Sequence, residues 1–181
     1  MTRAALVVVD MQHVFADPAS PWATPDYARA AAGVRRLLPS FAGATVWTRF
    51  VAPARPSGAW VRYYEEWPFA LRPEDDPIWT IDGDLGPGTD PVVSAPTFGK
   101  WGPGLAAAVG DADELVVAGV STDCCVLSTA LAAADAGRAV VVPADACAGL
   151  SEADHERALA AMALYAPLIR ISDVDEVTAA R

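Results

Sequence analysis

The chain has 181 residues, 53% of them hydrophobic, and a formal net charge of -10 at pH 7, which is enough for one sizeable core and too short for two ordinary domains, so residues 1–181 are expected to form a single domain. The negative charge repels phosphate backbones and anionic lipid, so nucleic acid and membrane surfaces are poor partners. No apolar run approaches the ~18–20 residues that cross a bilayer, and the N-terminal stretch meets Asp10 too soon for a secretory leader, which predicts a soluble, cytoplasmic protein.

Leu6 to Val9 is a continuous apolar run, as expected of a central strand covered on both faces. A Pro-rich loop follows, then a helix from about Tyr27 to Phe41, stopped by Pro39 and Gly43, and a strand around Ala44 to Arg49. From Arg49 to about Pro91 the regular rhythm is lost. This stretch is rich in Pro, Gly and aromatics, including Trp60, Tyr63, Tyr64, Trp67 and Trp79, and is far longer than an ordinary connection, so it reads as a functional lid or an oligomer contact.

Alternation resumes with a short strand near Val92 and Val93, a helix from about Pro103 to Val109 and a strand over 114–119. A helix from Asp123 to Ala136 ends at Gly137, a strand runs from Ala139 to Val142, and a helix from Ser151 to Leu164 has Ser151 as N-cap with Asp154 at the capping-box position. Leu168 to Ser172 form the last strand. Short β-branched runs alternating with Ala- and Leu-rich helices are the pattern of βαβ units, which predicts an α/β fold: a three-layer α/β/α, Rossmann-like arrangement around six parallel strands.

Ligands in such sheets collect at the carboxyl ends of the strands. Asp10 follows the first strand, Lys100 follows the strand near Val93, and Cys124 and Cys125 follow the strand 114–119 in Gly119-Val120-Ser121-Thr122-Asp123-Cys124-Cys125-Val126. A strand that opens directly into a helix places backbone N–H groups and the positive end of the helix dipole beside these sulfurs, which favours thiolate over thiol. Singly, each residue has a structural reading: an Asp as a cap, a solvated Lys, a Cys as a small buried hydrophobe. Together at three strand ends, a carboxylate that shuttles a proton, an ammonium and a thiol suit addition to a carbonyl or amide, loss of amine and hydrolysis of a thioester.

His155, within Glu152-Ala153-Asp154-His155-Glu156-Arg157, reads as a solvated residue on a charged helix face, and His13 as a packing or substrate-contacting residue rather than a partner for the thiol. Two isolated histidines argue against a catalytic zinc site, and three cysteines, Cys147 being the third, form neither a disulfide framework nor a zinc-ligand spacing.

Val8-Val9-Asp10-Met11-Gln12 with Phe15 downstream, Thr97-Phe98-Gly99-Lys100, and the segment 119–126 followed by Thr129-Ala130 resemble the isochorismatase-like cysteine hydrolases, a superfamily of nicotinamidases, N-carbamoylsarcosine amidases, ureidoacrylate amidohydrolases and isochorismatases. The resemblance implies a six-stranded parallel sheet, a catalytic triad of Asp10, Lys100 and Cys125, a cis peptide between Val120 and Ser121, and an oxyanion hole from the N–H groups of Ser121 and Cys125. It leaves Cys124 as a neighbour without a role. Phe15 and Trp101, with some of the aromatics from Trp60 to Trp79, are expected to wall the pocket, and Arg49, Arg55 and Arg62 are candidates for a substrate carboxylate or for solvated surface.

Nicotinamidases of this superfamily carry a metal element Asp-x-His after the second strand, where this chain reads Thr48-Arg49-Phe50-Val51-Ala52, so no metal and no cofactor are expected. The expected activity is C–N cleavage in a small linear amide or ureido compound through a Cys125 thioester. The alternatives are isochorismatase-type vinyl ether hydrolysis using Asp10 without covalent catalysis, and a non-catalytic protein of the same fold whose exposed aromatic segment serves assembly or binding. The resemblance also implies a homodimer or larger homo-oligomer acting on a small molecule.

Overall fold

The structure, a computed structural model, describes residues 3–181; Met1 and Thr2, part of the stretch judged too short for a leader, lie outside them. Strands β1 (Ala4–Val9), β2 (Thr45–Phe50), β3 (Val92–Ala95), β4 (Glu114–Val120), β5 (Ala139–Pro143), β6 (Cys147–Ala148) and β7 (Ile169–Ser172) form one parallel sheet in the order β3-β2-β1-β4-β5-β7, with β6 paired to β4. Six strands thus make the main path, as expected, and the two-residue β6 is an addition. It arises because β5 stays beside β4 only over Glu114–Val116, after which a 3-10 turn at Ala144–Ala146 returns the chain to pair Cys147 and Ala148 with Gly119 and Val120.

Alternation along the strands splits the core into two layers, because successive side chains leave opposite faces. Leu6 and Val8 of β1 with Val116, Ala118 and Val120 of β4 pack beneath α2 (Tyr27–Leu37) and α7 (Val174–Ala179). Ala5, Val7 and Val9 with Leu115 and Val117 pack beneath α4 (Pro103–Val109), α5 (Leu127–Asp135) and α6 (Glu152–Ala163). Ser151 caps α6 as expected, accepting from Asp154 N at 3.1 Å. Among the described residues no helix is long and apolar enough to cross a membrane.

The remaining helices, α1 (His13–Ala16) and α3 (Trp60–Glu66), fall in stretches expected to lack regular structure. The aromatics of the long middle segment are not exposed, as an assembly surface would require. Trp22 gathers them inward, with ring centroids 5.9 Å from Tyr63, 6.2 Å from Trp67, 5.1 Å from Phe69 and 6.4 Å from Trp79. Burying that much apolar ring surface outweighs the missing periodicity and folds the segment as a cap over the carboxyl edge of the sheet.

The chain builds outward from β1 through β2 to β3, then returns to lay β4 on the other side of β1. The crevice between β1 and β4 is therefore the topological switch point, where ligands bind in open α/β sheets. At its top Val9 pairs with Gly119, and a Cβ on Gly119 would lie 2.2 Å from the Val9 carbonyl oxygen. Gly119 also holds φ at 121°, so only glycine lets the two strands close where the site begins.

Candidate active site

Asp10 leaves the end of β1 with φ of 50°, the one non-glycine residue with positive φ among the described residues. Its carboxylate turns into the protein and is fully buried. Such a conformation is disfavoured for a side-chain-bearing residue and persists where neighbours over-determine it. Thr48 of β2 supplies that constraint, donating from Oγ1 to Asp10 Oδ1 at 2.7 Å while accepting from Asp10 N at 3.3 Å.

The other oxygen, Oδ2, lies 2.9 Å from Lys100 Nζ, and both side chains have zero exposure. No well-directed hydrogen bond reaches Oδ2 from any described residue, which leaves a lone pair open to a proton. Lys100 also donates to the Thr97 carbonyl, and its ammonium lies 4.9 Å from the centroid of Phe50. A buried ion pair of this kind is costly to desolvate, and Thr48 and the Thr97 carbonyl hold its two ends.

Cys125 sits on a π-type turn, Thr122–Val126, that precedes α5, instead of on the first turn of a regular α-helix. Val126 N donates to the Ser121 carbonyl at 3.1 Å, the wide i to i+5 spacing that defines such a turn and that recurs at functional sites. Thr129 fixes the arrangement: its Oγ1 donates to the Cys125 carbonyl at 2.6 Å and accepts from Lys100 N at 3.0 Å, tying the backbone of the lysine to that of the cysteine. The Val120–Ser121 peptide entering the turn is cis.

The expected thiolate is overruled by burial. Desolvation first and the Asp10 carboxylate second push the Cys125 thiol well above the ordinary thiol range, with Lys100 pulling in the opposite direction. The resting group is a thiol whose proton must be taken by a base, and Asp10 is the carboxylate whose charge acts on it.

Cys125 is only 3% exposed, yet it borders a cavity of about 70 Å³. Phe15, Trp22, Phe50, Tyr63 and Phe98 wall this cavity, with Ser121, Cys124 and Leu150 completing it. Phe15 stands where expected, stacked on Trp22 with centroids 6.2 Å apart. Trp101 does not. With Lys100 turned inward its neighbour faces the α4–α5 side of the sheet, where Arg138 lies 5.7 Å from its ring, and it is absent from the cavity wall.

Arg49 is likewise directed away, paired with Glu74 at 3.0 Å, and neither Arg55 nor Arg62 lines the cavity. His13 is exposed and outside it. His155 is buried, contrary to the solvated reading, because the start of α6 packs on the π-turn and brings its Nδ1 to 2.8 Å from Thr122 Oγ1. Burial lowers its pKa, so it is a neutral structural partner of the turn.

Cys124, read as a bystander, borders the cavity and donates to Asp123 Oδ2 at 3.5 Å, while Asp123 Oδ1 accepts from Leu150 N at 3.0 Å and so holds the rim. Burial and Asp123 push the Cys124 thiol up to about 11. Gln12, fully buried, donates to the carbonyls of Phe50 at 3.0 Å and Trp79 at 2.8 Å and accepts from Phe50 N at 2.7 Å, joining β1, β2 and the aromatic segment beneath the site. Among the described residues no group of three or more His, Cys, Asp or Glu side chains is placed to hold a metal ion.

A buried carboxylate, ammonium and thiol at the switch point of an isochorismatase-type sheet agree with the comparisons to known proteins. A family model described as the isochorismatase domain matches residues 4–173, so the chain belongs to the isochorismatase-like hydrolase superfamily. Comparison with curated proteins found no match.

Similar solved structures include a cysteine hydrolase from Pseudomonas syringae pv. phaseolicola 1448A (22% identity, TM-score 0.87, covering 98% of this chain and 91% of that one). An isochorismatase-like hydrolase from Alkaliphilus metalliredigens has 21% identity and a TM-score of 0.81, with 98% of each chain covered. An N-carbamoylsarcosine amidase from Thermoplasma acidophilum has 21% identity and a TM-score of 0.75, with 96% of this chain and 97% of that one covered. At these identities the likeness is one of fold.

Proposed function

We propose that the protein hydrolyses a C–N bond in a small amide or ureido compound through a thioester on Cys125. The observation that carries this reading is the fully buried 2.9 Å pair of Asp10 and Lys100 beside a thiol that opens onto a cavity. A non-catalytic protein has no use for a desolvated ion pair there, since such a pair adds little or nothing to stability over well-packed apolar residues.

Asp10 takes the thiol proton through its open Oδ2 lone pair, and Lys100 offsets the negative charge that passes to sulfur. The sulfur attacks the carbonyl carbon, and the N–H groups of Ser121 and Cys125 receive the oxyanion. Collapse breaks the C–N bond, the nitrogen leaving with the proton held on Asp10. Asp10 then removes a proton from water, which attacks the thioester, releases the acid and returns the thiol. The sum is amide plus water to acid plus amine.

The test is ammonia release from a panel of small amides and carbamoyl compounds, with pyruvate release from isochorismate alongside. Ammonia formation that is lost in Cys125→Ala supports the thioester route. Ammonia release that survives this substitution removes it, and pyruvate release with no amide turnover establishes the vinyl ether reaction in its place.

A further inference from the structure

Among the described residues, no formally charged side chain lines the cavity over Cys125. The two charges nearest the chemistry are used up: Lys100 pairs with Asp10 at 2.9 Å and donates to Thr97, and Phe50, which lines the cavity, lies against its ammonium. The arginines of the neighbouring segment do not reach the wall, and Arg49 is held by Glu74. A ligand carboxylate or ammonium drawn into this space would lose its hydration and gain no counter-charge, a heavy penalty for any ion.

Five of the walls are aromatic, and they are fixed by one another. Trp22 contacts Phe50 edge-on at 5.6 Å and Tyr63 at 5.9 Å, and Phe98 lies 5.7 Å from Tyr63 and 6.5 Å from Phe50. Such a preformed box favours apolar or flat groups, and it gives up little conformational freedom on binding.

Polar groups on the wall are few. The Cys124 thiol donates to Asp123 at 3.5 Å. The Tyr63 hydroxyl makes no hydrogen bond to any described residue although the side chain is partly buried and shares the cavity wall with both cysteines. Burial raises its pKa, so the phenol stays protonated and available as a donor.

Building on the amidase reading above, we propose that this site selects an uncharged amide with a small apolar or single-ring acyl group, clamped by the aromatic box and hydrogen-bonded by the Tyr63 hydroxyl, and that it rejects substrates bearing a carboxylate or an ammonium. Isochorismate, a dicarboxylate, falls in the rejected class. Selection acts by the absence of a counter-charge as much as by contact, a specificity that requires no arginine clamp.

Binding to the full-length Cys125→Ser protein separates this selectivity from turnover. Calorimetric titrations with benzamide, isobutyramide, succinamate and glycinamide are expected to show the two neutral apolar amides binding at least ~100-fold more tightly than the two ions. Tyr63→Phe, which keeps the ring, is expected to weaken benzamide about tenfold. Leu150→Arg, at the exposed rim, is expected to narrow the gap between succinamate and isobutyramide. Equal binding of succinamate and isobutyramide, no binding by any of the four, or an unchanged benzamide affinity in Tyr63→Phe would overturn the proposal. If the selectivity appears but the wild-type protein releases no ammonia from the bound amides, the thioester reading fails and the selectivity stands.

Discussion

Thr48 holds Asp10 at both ends, donating to its carboxylate at 2.7 Å and accepting from its backbone N–H at 3.3 Å, so the side chain that follows β1 is oriented by a side chain within β2. Thr48→Val keeps the shape and removes both bonds. We expect a loss of about 1–3 kcal/mol in urea unfolding, the range for leaving a buried polar group unsatisfied, with kcat falling more than KM rises. Thr48→Ser retains the hydroxyl and should restore kcat, whereas a purely volumetric role for the threonine would leave Ser worse than Val.

The Asp10–Lys100 pair is expected to behave as one unit. Lys100→Met strands a buried carboxylate and Asp10→Asn strands a buried ammonium, each costing about 3–5 kcal/mol of stability. The double variant should be more stable than the sum of the two losses predicts and should remain inactive. A double-mutant cycle in urea checks this, and additive losses would mean that the two groups do not interact in solution.

Much of the site was legible because its three reacting groups sit at strand ends, where periodic apolar runs stop and polar side chains have little structural reason to be. Asp10, Lys100 and the Cys124–Cys125 pair were found that way, and the resemblance singled out Cys125; the structure buries Asp10 against Lys100 at 2.9 Å and puts both cysteines on the cavity wall. The residues that support them were not. Thr48 and Thr129 are ordinary strand and helix residues until their hydroxyls are seen bridging elements far apart in sequence, and His155 looked solvated because charged neighbours surround it in the chain. The aromatic box was legible only in part: Phe15 and the stretch that holds Tyr63 were expected at the pocket, but Trp22, Phe50 and Phe98 come from three further segments, and long-range burial assembles them without any repeat in the sequence. Trp101 fails for the same reason in reverse, since adjacency to Lys100 in the chain does not imply a shared direction.

Alkaline pH should destabilise the fold. Burial raises three thiols, Cys124 to about 11, Cys147 to about 12 and Cys125 well above the ordinary value. A raised thiol pKa means that the unfolded chain gives up its proton first, so the stabilisation is complete below the unfolded value of about 8.5 and is lost as pH rises toward the folded values. Thermal unfolding from pH 7 to pH 11 should show a Tm that declines above about pH 8.5. The decline should be shallower in Cys147→Ala than in the wild type, and an identical slope in both would remove this thiol as a cause.

Cys125 is expected to form the acyl-enzyme with Asp10 serving as its base. Rapid mixing with p-nitrophenyl acetate, acid quench and intact-mass measurement reports this without knowledge of the natural substrate. One acetyl group per chain is expected, mapped to Cys125, absent from Cys125→Ala, retained in Cys124→Ala, and formed far more slowly in Asp10→Asn because the thiol proton is no longer taken. Acetylation at Cys124 with Cys125 unmodified, or an acetylation rate that Asp10→Asn leaves unchanged, would contradict this.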